Sequence, residues 1–213
     1  MAREDGWALA VSRALVSVWR KRRDGLLARR LGAEGFRAGR APKLMGLAHM
    51  RVGAGFSAGD ALWMEAVVSY GGQRFAPELV VGAGVSVSDR VHIACLRRVV
   101  IGDGMLAGSG VLISDHTHGV YAGEAQSAPE ERPVERRLWS AGEIVIGRNV
   151  WLGDGVVVLA GTKIGDGVVV GANSVVRGEL PAGTMAVGAP ARVVRRWDEA
   201  RREWMRVERA ENV

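Results

Sequence analysis

One cysteine, six prolines and no long apolar run mark what this sequence of 213 residues does without. A lone Cys95 excludes any disulfide within the chain, and with it a disulfide-stapled scaffold. Six prolines beside thirty glycines lack the three-residue period of a collagen helix, so the glycine excess must serve turns that recur at another spacing. The apolar stretch from Trp7 to Val11 follows Glu4 and Asp5 and is interrupted by Arg13. No run approaches the roughly 18 residues of a membrane span, so neither a signal peptide nor a transmembrane helix is expected. Charged residues reach only 24% against 48% hydrophobic ones, which excludes disorder as the main state and leaves ample material for one core. Nothing requires an oxidising compartment, and the expected location is the cytoplasm.

The net charge of +6 is unevenly placed. Residues 1–40 hold ten Lys or Arg against four Asp or Glu, while the other 173 residues hold nineteen of each. The basic character therefore belongs to an N-terminal arm, and nucleic acid is not an expected partner of the main body. Within the arm, Trp7, Val11, Leu15, Val18 and Trp19 fall on one helical face ahead of the run Arg20 to Arg23. Packing of that face on the main body is the plainer reading. A peripheral contact with an anionic membrane is the sharper one.

Aliphatic residues return every six positions at Ile146, Leu152, Val158, Ile164, Val170 and Val176. The same period appears at Val81, Val87 and Ile93, resumes at Ile101, Ala107 and Ile113 after two extra residues between Cys95 and Arg98, and is weaker at Val52, Ala58 and Met64. A period of six fits neither a helix nor a strand pair, but suits short strands meeting at glycine corners, each sending one aliphatic inward. Three such hexads per turn would stack residues eighteen apart, Ile146 over Ile164, Leu152 over Val170 and Val158 over Val176. Fifteen hexads predict five coils. Two segments break the period: residues 65–80, read as a hairpin at Gly71-Gly72, and the polar residues 117–143. A prism of this kind leaves both ends open, and the arm with a helix from Asp198 to Glu208 would cover them.

The hexads together with ISDHTHG (Ile113 to Gly119), the stretch Val150 to Val176 and VGAPARVV (Val187 to Val194) resemble the hexapeptide-repeat acyltransferases, most of all the sugar O-acetyltransferases of bacterial polysaccharide and lipopolysaccharide pathways. The resemblance covers about residues 44–195. It implies a mainly β fold, a left-handed parallel β-helix, a homotrimer, acetyl-CoA as donor without a metal, and sites between subunits. The expected organisation is a basic helical arm (1–43), the β-helix (44–195) and a C-terminal helix (196–213).

Acetyl transfer to a hydroxyl needs a base, and histidine, with an ordinary pKa of about 6.5, is suited to it. His49 and His92 have little polar company in the sequence, whereas Asp115-His116-Thr117-His118 stands where the coil opens into the long loop. Alternate residues of an extended segment face one way, so spacing does not separate His116 from His118. The resemblance does: it assigns the base to His116, leaving His118 and His92 as acceptor contacts and Asp115 either to orient the ring or to form the turn. It also implies pantetheine contacts at Asp154 and Ala172 and phosphate contacts at Arg177, Arg192 and Arg195, with Arg177 in place of the commoner Thr. Arg97 stands where relatives often carry Asn, which bears on the acceptor. Trp139 and Trp151 are candidate cleft walls. Three other readings compete: an N-acetyltransferase of amino sugars, a zinc hydrolyase built on His92, His116 and His118, and a scaffold without chemistry. Gly102-Asp-Gly-Met-Leu-Ala107 matches a dinucleotide-binding pattern, but its glycines belong to hexad corners.

Overall fold

The structure is a computed structural model that describes residues 4–207, with the backbone alone for 4–15. Trp7, Val11 and Leu15 therefore lie outside the described side chains, as does Glu208. After one helix, Glu4–Leu31, the chain winds into a three-sided coil whose strands stack in parallel. The first face begins at Lys43–Met45 and ends at Val175–Val176, the second runs from Met50–Val52 to Glu179–Leu180, and the third from Ser57–Ala58 to Thr184–Val187.

Stacking follows the expected interval: Ile146 pairs with Ile164, Leu152 with Val170, and Val158 with Val176. On the second face Val52, Val81, Ile101, Ile146, Ile164 and Leu180 form one buried column. Each such side chain contributes about 1.5–3 kcal/mol by leaving water. Every face carries six coil strands rather than five, roughly 24 Å at a strand spacing of about 4.8 Å. The three uncounted hexads centre on Leu44, Leu180 and Ala186. A short helical turn at Leu47–His49 and a shortened corner at residues 177–178 shift them out of the six-residue register.

At the corners successive coils nearly touch. A Cβ on Gly102 would lie 2.6 Å from the Gly147 carbonyl carbon, and Gly104 has φ +68°. Only glycine meets the first demand, and it meets the second without strain. A strand at Leu106–Ala107 follows, not a helix, so the dinucleotide-like match is a corner. Corner aspartates satisfy the N–H groups of the preceding coil: Asp103 accepts from Ala83 (2.7 Å), Asp154 from Ser109 (2.6 Å) and Asp166 from Arg148 (2.8 Å).

The first end of the coil is plugged by Leu31, Ala33 and Phe36, whose ring stacks on Phe56 at 5.2 Å. Arg23 clamps the helix there by donating to the carbonyls of Ala38 (2.5 Å) and Gly39 (2.9 Å). Among the described residues no helix is long and apolar enough to cross a membrane.

The expected C-terminal helix is overturned. Arg192–Asp198 pairs antiparallel with Thr184–Val187, and Glu203–Arg206 pairs with Arg192–Asp198 in turn. The last coil strand offers unpaired N–H and C=O groups, and a hairpin satisfies them where a helix would not. Asp198, the first residue of that expected helix, instead accepts the Arg201 N–H at 2.9 Å in the hairpin turn, and Trp197 meets Trp204 across it.

Both period breaks are excursions from the coil. The first is narrower than 65–80, because Trp63–Ala66 and Glu78–Val81 are coil strands; between them Ser69–Tyr70 and Gln73–Arg74 make the expected hairpin, with Gly71 and Gly72 both left-handed. The second opens with Thr117–His118 paired antiparallel to Leu138–Trp139. The two dock together: Gln73 exchanges hydrogen bonds with the Leu138 backbone (2.9 and 3.3 Å), and Tyr70 Oη donates to Val134 O at 2.5 Å.

Candidate active site

The two extra residues after Cys95 make a tight corner with three N–H groups converging on one point. Asp115, fully buried at the end of the strand Leu112–Ser114 one coil further on, fills that point. Its Oδ1 accepts from Leu96 N (2.7 Å), and its Oδ2 from Arg97 N (2.8 Å) and Arg98 N (2.9 Å). The same carboxylate lies 3.2 Å from His116 Nδ1. A carboxylate can only accept, so Nδ1 carries the hydrogen and Nε2 is left with a free lone pair. One carboxylate thus contacts both the ring and the corner.

His118 has a different setting. Its ring meets the edge of Tyr70 (5.0 Å, 83°), which ties it to the hairpin. His92 stacks on Trp63 at 4.0 Å, and Lys43 Nζ lies 3.7 Å from the Trp63 ring centroid. Burial pulls the His92 pKa below its ordinary value; Glu65 works against this, while the nearby His116 and Lys43 add to it. His92 and His116 are thus neighbours, and His92 Nε2 is buried without a hydrogen-bond partner. His49 lies apart, its Nδ1 3.1 Å from Pro77 O. Among the described residues of one chain no three His, Cys, Asp or Glu side chains gather as a metal group.

Two of the clefts on the coil hold residues singled out in the sequence. The first, about 350 Å³, lies between the hairpin, the 95–98 corner and the second excursion, and Arg97 and Trp139 line it. The second, about 310 Å³, is lined by Trp151, Asp154 and Ala172 on adjacent coils. Asp154 faces it with one carboxylate oxygen already engaged by Ser109. The Ala191 N–H donates to Val175 O at 2.8 Å, bringing the strand that carries Arg192 beside the corner that carries Arg177. Both arginines are exposed, whereas Arg195 Nη1 donates to Trp204 O at 3.1 Å. Reasoning from sequence missed Arg74 and Phe75, which line the first cleft from the hairpin. The only signal for them was that a loop had interrupted a strict repeat.

Residues 143–178 match the bacterial transferase hexapeptide (six repeats) family. WbbJ of Escherichia coli (strain K12), named as a lipopolysaccharide biosynthesis O-acetyl transferase, is 43% identical over 120 residues, which is 56% of this chain and 61% of WbbJ. The chain thus spans less than two thirds of that relative. Among solved structures, a hexapeptide-repeat acetyltransferase of Vibrio cholerae O1 biovar eltor, complexed with acetyl-CoA, superposes with a TM-score of 0.54 at 23% identity, covering 84% of this chain and 78% of that one. The N-acyltransferase AntD of Bacillus cereus, as a point mutant in complex with a dTDP-amino sugar and coenzyme A, gives 0.59 at 14% identity, covering 76% and 80%. Repeat and fold agree: residues 143–178 carry the repeat of the hexapeptide transferases, and the chain has the left-handed parallel β-helix of these acyltransferase structures.

Proposed function

We propose that the protein transfers acetyl from acetyl-CoA to a hydroxyl of a sugar in surface polysaccharide or lipopolysaccharide biosynthesis, with His116 as general base. The observation that carries this reading is the His116 ring held at 3.2 Å by a buried carboxylate, with Nε2 left to accept a proton. In the proposed step Nε2 takes the acceptor's hydroxyl proton while its oxygen bonds to the thioester carbonyl carbon. The C–S bond then breaks, and the proton passes to the departing thiolate. His92, whose pKa burial lowers, and His118 border the acceptor. Trp151 and Ala172 wall the path of the pantetheine, with Asp154 holding the corner beneath it. Arg177, Arg192 and Arg195 meet the phosphates, where cations have an evident role.

Assembly as a homotrimer is part of the proposal. The second face points charge outward in the chain Arg51, Glu78, Arg98 and Glu143, with Lys163 beside Glu179. The third face instead points Leu106, Trp151, Val169 and Met185 outward in one register, an apolar stripe suited to a subunit contact. We infer further that residues 1–40 hold the enzyme at the cytoplasmic side of an anionic membrane, near a lipid-carried acceptor.

His116→Ala tests the chemistry. The variant should keep the far-ultraviolet circular dichroism of the parent, while acetyl transfer falls at least about a hundredfold. Near-normal turnover would remove His116 as the base. Mass spectrometry of the surface glycan with and without the protein would identify the acetylated position, hydroxyl or amine.

A further inference from the structure

The cleft between the hairpin and the 95–98 corner has a charge that nothing among the described residues balances. Arg74 enters it from one side and Arg97 from the other, with Phe75 and Trp139 as walls. Among the described residues neither guanidinium has a salt bridge or a side-chain hydrogen bond, although carboxylates stand close by in the fold. Those carboxylates are already engaged: Glu78 holds Arg51 and Arg98, and Glu143 holds Arg98. Of the adjacent pair, Arg98 is neutralised and Arg97 is left to the cleft. No acidic side chain lines it.

The position of Arg97 is fixed from below. Its N–H donates to Asp115 Oδ2 at 2.8 Å, and Asp115 Oδ1 faces the His116 ring at 3.2 Å, so one carboxylate sets both the proposed base and the arginine. Arg74 is fixed by its hairpin, which Gln73 pins to Leu138 beside Trp139. Aromatic walls suit the apolar face of a sugar ring, and paired guanidiniums suit a carboxylate or phosphate oxygen pair. We propose that this cleft selects an anionic saccharide as acceptor, a sugar bearing a carboxylate or a phosphate, with Arg74 and Arg97 as the specificity-determining residues. The inference rests on the acyl-transfer reading only for the word acceptor, because binding at the cleft is measurable without acetyl-CoA.

The test is equilibrium binding to the full chain by calorimetry or NMR titration, with methyl glucuronide, glucose 1-phosphate and neutral methyl glucoside as probes. At least one anionic probe should bind tenfold or more tighter than the neutral sugar, and which of them does so separates carboxylate from phosphate recognition. Raising the salt should erode that preference. The Arg74→Met/Arg97→Met double variant, with its melting temperature as a check on folding, should reduce the preference to below about threefold, given that charge-assisted pairs exceed neutral hydrogen bonds in strength. Equal binding of the three probes, or a preference that survives in the double variant, would overturn the proposal. Wild-type protein distinguishes the two readings: charge-selective binding by wild-type protein that shows no acetyl transfer would retain the cleft and remove the reaction, whereas transfer without charge selection would do the reverse.

Discussion

The Asp115 carboxylate that faces His116 Nδ1 at 3.2 Å also accepts the backbone N–H groups of Leu96, Arg97 and Arg98. One buried group thus joins the corner and the ring. Asp115→Asn keeps the shape but turns an NH₂ group toward donors that need an acceptor. A buried donor left unpaired costs about 1–3 kcal/mol, and urea unfolding should report a loss of that order. Acetyl transfer should fall as well, because the ring loses the acceptor that fixes its tautomer. Lost stability with unchanged turnover would show that the carboxylate serves the corner alone.

Cys95 sits at the same corner, fully buried, with Sγ 3.4 Å from Glu78 O. Burial first, and the Asp115 charge second, push its thiol up to about 12. At pH 8 the thiolate fraction is then on the order of one in ten thousand, and the thiolate is the reactive form. Native protein should react with less than about a tenth of an equivalent of an aromatic disulfide reagent, and unfolded protein with one. This also bears on the activity assay, since coenzyme A released by transfer can be read with such a reagent without background from the chain. Rapid labelling of native protein would contradict the burial of Cys95.

The coil was legible because its strongest signal is local. Aliphatics at one position per hexad stack eighteen residues apart, and Leu152 over Val170 needed no information beyond the sequence. A second buried position was missed. Val150, Val156, Thr162, Val168 and Ser174 also point inward, but Thr162 and Ser174 break the apolar pattern by hydrogen-bonding to the Val176 carbonyl and the Gly188 N–H. The C-terminal hairpin was misread as a helix for a related reason: residues 199–208 contain good helix formers, and only the open edge at Thr184–Val187 makes strand the better outcome. In the site, spacing could not separate His116 from His118. The structure gives the two rings different partners, the buried carboxylate of the adjacent Asp115 for His116 and the distant Tyr70 for His118. Arg74 gave no warning, since nothing local marks a hairpin arginine as a cleft wall.

Leu106 lies outward beside Trp151 in the apolar stripe of the third face, and both are about half exposed in a single chain. A homotrimer that covers the stripe should scatter light as close to three times 22.7 kDa. Leu106→Glu would then bury a charge at each contact, and should shift the protein toward the monomer with loss of turnover. Because the side chain points away from the core, melting of the coil itself should change little. A fully active monomer, wild type or variant, would contradict the assembly.

The arm divides its cations between two tasks. Arg23 is spent on the carbonyls of Ala38 and Gly39, and Arg20 is half-buried against the coil, leaving Lys21 and Arg22 of the run exposed. On the described part of the helix Val18 is 51% and Trp19 62% exposed, whereas Leu27, Ala28 and Leu31 further along pack on the core of the coil. An exposed tryptophan among cations is the composition of an interfacial helix, and each basic residue near an anionic surface contributes about 1 kcal/mol. Full-length protein should sediment with phosphatidylglycerol vesicles and remain in solution with phosphatidylcholine vesicles. Salt at about 0.5 M should release it, because the attraction fades beyond a Debye length already near 8 Å at physiological ionic strength. Trp19→Ser, which removes apolar contact without altering charge, should weaken the association without abolishing it. Equal recovery in solution with both vesicle types would leave residues 1–40 as the end cap of the coil alone.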